Sequence, residues 1–167
     1  LADSELLTDS LDILWRIDHL FPDSPRLATG TIDAAGWRAL IDWRRRTDPI
    51  LQRLYAPARP AYRDIGGSPE TLAAYKAEIR YRLGMTVEGL ANDRYAGYAQ
   101  LDSLTRLQAL ARHLAHNRFY IGPQASIADM LLAADLYPLQ VLDGISLPID
   151  LLYYLARVEE TTRTSLR

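Results

Sequence analysis

The stretch FYIGPQASIADMLLAADL, residues 119–136, decides how the chain folds. Gly122-Pro123 turns the backbone, and Ser126-Ile127-Ala128-Asp129 then opens an apolar run. A serine followed three residues later by an acid is a helix-start signature. The Ser126 hydroxyl can accept from the Asp129 N–H while the carboxylate reaches back to the Ser126 N–H, so two donors with no helical partner are satisfied. The acid also sits at the positive end of the helix dipole. Both side chains are used by the cap, so the pair reads as structure rather than as catalytic machinery. The residue before the cap is only Ala125, facing Met130, which predicts a weak hydrophobic staple.

Working outward, the same helical character covers the chain. Strand-like alternation is nearly absent, and apolar residues recur at helical spacing. Asp9 or Ser10 can cap a first helix over 10–21, whose residues Leu11, Ile13, Leu14, Ile17, Leu20 and Phe21 cover more than one face. Pro22 and Pro25 end it, and FPDSPRLATGT reads as a linker. Thr31 can cap a second helix carrying Trp37, Leu40, Ile41 and Arg44, with Pro49 either kinking it or opening a continuation capped by Asp48. APARPAYRDIGGS is a Pro- and Gly-rich loop, and Ser68-Pro69-Glu70 starts another helix. After Thr86 the stripe Leu101, Leu104, Leu107, Leu110, Ala111 and Leu114 predicts one long helix to about His116. Beyond residue 136, Pro138 ends or kinks the quoted helix, and a last one begins near Pro148 with Leu151, Leu152, Leu155 and Val158. The expectation is an all-α bundle of about six helices.

Bulk properties narrow the function. The 167 residues suffice for a buried core, and the net charge of −2 gives no basic field to gather nucleic acid. No apolar run approaches the ~20 residues of a membrane span, and no leader is visible, so a cytoplasmic setting without a membrane partner is expected. The absence of cysteine excludes thiolate chemistry and disulfides within this chain. His113 and His116 lie three apart on a helix, but no third ligand is evident, so no metal site is expected. Arg44, Arg45 and Arg46 read as a solvated helix face with ion pairs, with anion or partner binding as the sharper alternative. Most of Trp37, Trp43, Tyr55, Tyr62, Tyr75 and Tyr81 should be core, while Tyr55, Tyr62 or Arg63 can face a cleft.

FYIGPQASIADMLLAADLYPLQVL, followed by ISLPIDLLYYLARVE, resembles the all-helical C-terminal domain of the glutathione S-transferase superfamily. Gly122, Ser126, Ala128 and Asp129 match the Gly-x-x-x-Ser-x-x-Asp pattern that opens a buried helix in that domain. LTDSLDILWRIDHLFP looks like the last helix of the thioredoxin-like N-terminal domain, and the Pro- and Arg-rich middle is similar to the glutaredoxin-2 type.

The resemblance implies that residues 1–28 are a remnant of a thioredoxin-like domain and 29–167 the helical domain. It implies that Asp9 and Ser10 contact the γ-glutamyl end of glutathione, the co-substrate, and that the helical domain shapes the cleft for a small hydrophobic electrophile, for which Tyr55, Tyr62 and Arg63 are the candidate contacts. No catalytic residue is assigned, because that residue lies in the thioredoxin-like half of the whole enzymes, so the chain alone should be inactive. A homodimer or other self-association is expected. The alternative is a non-catalytic protein-interaction module on the same scaffold.

Overall fold

A computed structural model describes residues 10–21 and 33–164, and every regular element in them is helical. Asp9, Thr31, the proline-bearing linker and the Ser10 side chain lie outside the described residues. The first helix, α1, spans Ser10–Leu20 and docks on the main core through Leu11 and Leu14. Helix α2 spans Ala34–Tyr55. Its cap is Asp33, whose Oδ2 accepts from the Gly36 N–H at 2.7 Å, rather than the expected Thr31. Pro49 neither ends nor restarts it. Pro49 and Arg45, whose carbonyl loses its helical donor, are both exposed, so that carbonyl is open to solvent.

A 3₁₀ turn at Arg59–Ala61 and a one-turn helix α3, Arg63–Gly66, lead to α4, Pro69–Leu83. Ser68 caps α4 through the Thr71 N–H, and Gly84 ends it at φ 71°, a conformation that favours glycine. The long helix expected after Thr86 is three: α5, Val87–Asn92; α6, Arg94–Thr105; and α7, Leu107–His116. Arg106 breaks the last two apart at φ 51° and ψ 47°. The break lets α6 lie along α2 while α7 turns away onto α9, which spans Ile149–Thr162. The leucine stripe is therefore shared between two packing partners. Helix α8, Ile127–Leu136, ends in a 3₁₀ turn at Tyr137–Val141.

Helix α8 is buried on nearly all sides, as its uniform apolarity requires, and it packs against α2 and α9. Its capping box is present, and the carboxylate carries most of it. Asp129 Oδ2 accepts from the Ser126 N–H at 2.8 Å and the Ser126 hydroxyl at 3.0 Å. Oδ1 accepts from the Tyr120 N–H at 2.8 Å and the Tyr154 hydroxyl at 2.9 Å. Ala125 and Met130 are only partly buried, in keeping with a weak staple. Gly122 adopts no left-handed φ, and a Cβ there would meet nothing within 4 Å, so the turn does not require a glycine.

Two apolar clusters result. The main one joins α2, α6, α7, α8 and α9, and a small one holds Ala56, Tyr75, Ile79, Val87 and Leu90. Outside both, Ile13, Trp15, Ile17, Leu20 and Phe21 are 37–59% exposed, all on or just after α1. That is an unusual concentration of apolar surface on one element.

Two outcomes follow from these contacts. Replacing Asp129 with alanine leaves four donors at a buried site without an acceptor. Urea unfolding of Asp129→Ala should show a loss of about 3 kcal/mol or more with an unchanged slope. A midpoint equal to that of the parent chain would deny Asp129 this role. For α1, sedimentation of the full chain should show self-association that rises with concentration, and removing residues 1–25 should abolish it. A chain that stays monomeric with and without the segment would mean that α1 needs no further cover.

Candidate functional site

The end of α2 and the turn after it face the turn after α8, and between them lies a cleft of about 220 Å³. Tyr55, Ala58, Arg59 and Tyr62 form one wall, and Pro138, Val141 and Leu142 the other. The local sequence explains the shape. Pro57 and Pro60 force the chain out of α2 into a tight 3₁₀ turn, which carries Arg59 and Tyr62 to the same side as Tyr55. Pro138 likewise converts the end of α8 into a 3₁₀ turn that projects Val141, a half-exposed residue, at the cleft mouth.

Tyr55 is buried, and its hydroxyl donates to the Asp135 carbonyl. Burial, reinforced by the Asp135 carboxylate and only partly offset by Arg59, pushes this phenol well above its ordinary range. It stays a protonated donor and an aromatic wall. Tyr62 is half exposed, with its ring free to contact a ligand. Arg59 has no ion-pair partner among the described residues. The cleft thus offers a flat apolar surface with one guanidinium beside it, an arrangement suited to a small apolar molecule that bears a polar or anionic substituent.

The sequence reading placed Tyr55, Tyr62 and Arg63 at one cleft. The structure brings Tyr55 and Tyr62 together. Arg63 is exposed at the start of α3 and does not line the cleft, whereas Arg59 does. Asp9 lies outside the described residues, as does the Ser10 side chain.

A second groove, of about 260 Å³, continues past Ala58, Val141 and Leu142 toward Arg94 and Tyr98. Its floor is fixed by the Tyr98 hydroxyl, which donates to the Asp143 carbonyl at 2.7 Å.

The arginine run does not act as one face. Arg44 grips Asp135 with Nε at 2.6 Å from Oδ2 and Nη2 at 3.3 Å from Oδ1. Arg45 pairs with Asp42 on the surface, and Arg46 donates through Nε to the Leu104 carbonyl at 3.1 Å. His113 Nε2 lies 2.8 Å from the Tyr120 carbonyl and His116 Nδ1 2.9 Å from the Arg112 carbonyl, so each ring is engaged by backbone. Trp43 donates from its indole to the Thr105 carbonyl at 2.7 Å, and the Tyr75 hydroxyl reaches the Ala56 carbonyl at 2.9 Å. Tyr81 is almost fully exposed.

Asp135 is the residue that sequence reading missed. Its side chain holds Arg44 and its carbonyl holds Tyr55, so it fixes the inner wall of the cleft. A signal existed: Asp135 is the one charged residue of α8 apart from its cap. No helix among the described residues is long and apolar enough to cross a membrane. Compared with protein-family models and with curated proteins, the chain matches none.

Burial holds the Asp135 carboxyl above the usual aspartate range, with Arg44 offsetting part of the shift. The folded chain therefore binds this proton more tightly than the unfolded chain. The resulting stabilisation is full below the ordinary aspartate pKa and is lost as pH rises through the raised value. Relative to Asp135→Asn, the parent chain should gain stability as pH falls from neutral through the raised value to the ordinary aspartate range, read from urea midpoints. A difference that is flat or of opposite sign would show that pairing with Arg44 outweighs burial.

Proposed function

We propose that this chain is the helical, substrate-side half of a glutathione S-transferase-like protein, and that the cleft between Tyr55, Tyr62 and the turn after α8 receives the hydrophobic electrophile. The observation that carries this reading is the buried start of α8. Ser126 and Asp129 stand where the superfamily's Gly-x-x-x-Ser-x-x-Asp pattern has them, and Asp129 is fully buried and saturated with donors. Two further features support it. The apolar side chains left exposed on α1 are of the kind that a thioredoxin-like sheet would cover. The cleft has aromatic and aliphatic walls with one guanidinium, that of Arg59, which makes no ion pair among the described residues.

In this reading glutathione is the co-substrate, and its thiol is activated by the thioredoxin-like half. The present chain supplies position and apolar contact, which hold the electrophile near the thiol. Arg59 rather than Arg63 is the cationic group placed to meet a polar substituent. Asp9 and Ser10 are proposed contacts of the γ-glutamyl end.

The test is a titration of the labelled chain with a dinitrophenyl conjugate of glutathione, followed by amide chemical shifts. Shifts should centre on Tyr55, Arg59, Tyr62 and Val141, and Tyr62→Ala should weaken binding about tenfold, the scale of one lost aromatic contact. The chain alone should show little conjugation of glutathione with a generic aromatic electrophile. Turnover like that of an intact transferase, abolished by a substitution within this chain, would overturn the division of labour, and shifts that avoid the cleft would overturn the site.

A further inference from the structure

A larger concavity lies along the first half of α2 and shares no lining residue with the Tyr55 cleft. It has a volume of about 390 Å³, within the range of small-molecule sites. Its origin is the break at Arg106. Helix α6 lies along α2, but α7 swings toward α9, and a wedge opens between the first turns of α2 and α7. Gly36 and Ala39 on α2 and Ala109 on α7 leave the wedge open, while Trp43 and Leu110 supply an apolar floor.

Arg46 and Arg106 both line the wedge, and no carboxylate among the described residues does. In a chain of net charge −2 this local excess stands out. The nearby Asp33 carboxylate is committed to the α2 cap. Arg46 is pinned by its Nε to the Leu104 carbonyl, which leaves its terminal nitrogens held in place without a protein partner among the described residues. Arg106 makes no ion pair among the described residues, and it occupies a left-handed conformation that glycine would adopt more easily. His113 forms part of the wall, with its Nε2 2.8 Å from the Tyr120 carbonyl. The first turn of α7 has no side-chain cap, which adds to the positive field.

From this wedge we infer that the chain has a second binding site, for a small apolar molecule bearing one carboxylate. The apolar body lies on Trp43 and Leu110, and the carboxylate lies between Arg46 and Arg106. The inference does not rest on the transferase reading, since none of these residues belongs to the Tyr55 cleft.

The whole labelled chain is titrated with 1-naphthaleneacetate and, in parallel, with 1-naphthaleneacetamide, the uncharged molecule of the same shape. The chain has three tryptophans, so the Trp43 indole N–H is identified by its loss in Trp43→Phe. The acid should shift that resonance and the amides of Arg106, Ala109 and Leu110. It should bind about tenfold more tightly than the amide, as expected for one charge-assisted contact. Arg106→Gly removes the guanidinium yet suits the backbone, and it should abolish the preference without lowering the thermal midpoint. Ala109→Glu, which sets a carboxylate in the wedge, should do the same by repulsion. Equal affinities for acid and amide overturn the inference. So does a preference that survives both substitutions, a failure of the acid to bind at millimolar concentration, or shifts confined to α1 or to the Tyr55 cleft.

Discussion

The carboxylate of Asp129 is the constraint on which the rest of the bundle depends. A charged group with no exposure is tolerated only when its lone pairs are taken, and here four donors take them. Two come from Ser126, one from the Tyr120 backbone and one from the Tyr154 ring hydroxyl. The loop before α8, the start of α8 and the middle of α9 are thereby fixed to one point. Because the buried Ser126 N–H at the α8 start is satisfied from inside, the helix can be apolar on nearly every side and serve as the packing centre for α2 and α9. The Tyr154 hydroxyl, held against this carboxylate and buried, is pushed well above the ordinary phenol range, so it remains a donor under all ordinary conditions.

How much of this was legible depends on whether the signal was local. The cap at Ser126 and Asp129, the cap at Ser68 and the stop at Gly84 are local chemistry, and the sequence displays them. The donors from Tyr120 and Tyr154 are tertiary, and no spacing rule announces them. The leucine spacing from Leu101 to Leu114 is continuous, which is why the break at Arg106 was invisible. Only the competing surfaces of α2 and α9 explain it. Pro49 misled for the opposite reason: a proline signals a break, but on the solvent side of a long helix the carbonyl that loses its donor is open to solvent.

The cleft was half legible. An aromatic residue at the end of α2 and another just past a proline-rich turn suggested a shared surface, and Tyr55 and Tyr62 do share one. That Arg59 lines the cleft and Arg63 does not depends on the path of the turn, and that path is set by where Pro57 and Pro60 let the backbone go. The run Arg44 to Arg46 illustrates the same limit. Consecutive helical residues point about 100° apart, so three identical neighbours meet three different surroundings.

The division of the interior into two clusters has a consequence for motion. The smaller cluster, built from α4, α5 and the residue after α2, meets the rest through Ala56 and through the packing of α5 on α2 and α6. A unit with so few apolar ties can open as a cooperative piece while the larger cluster stays closed. Tyr55 and Pro138 stand on the closed side of this seam, whereas Arg59 and Tyr62 sit on the chain that leads into the smaller unit. The cleft is therefore built like a vice, with one jaw anchored in the main cluster and the other carried on the chain that leads into the smaller one, so a local opening of α3 and α4 would widen it while the main cluster stays closed.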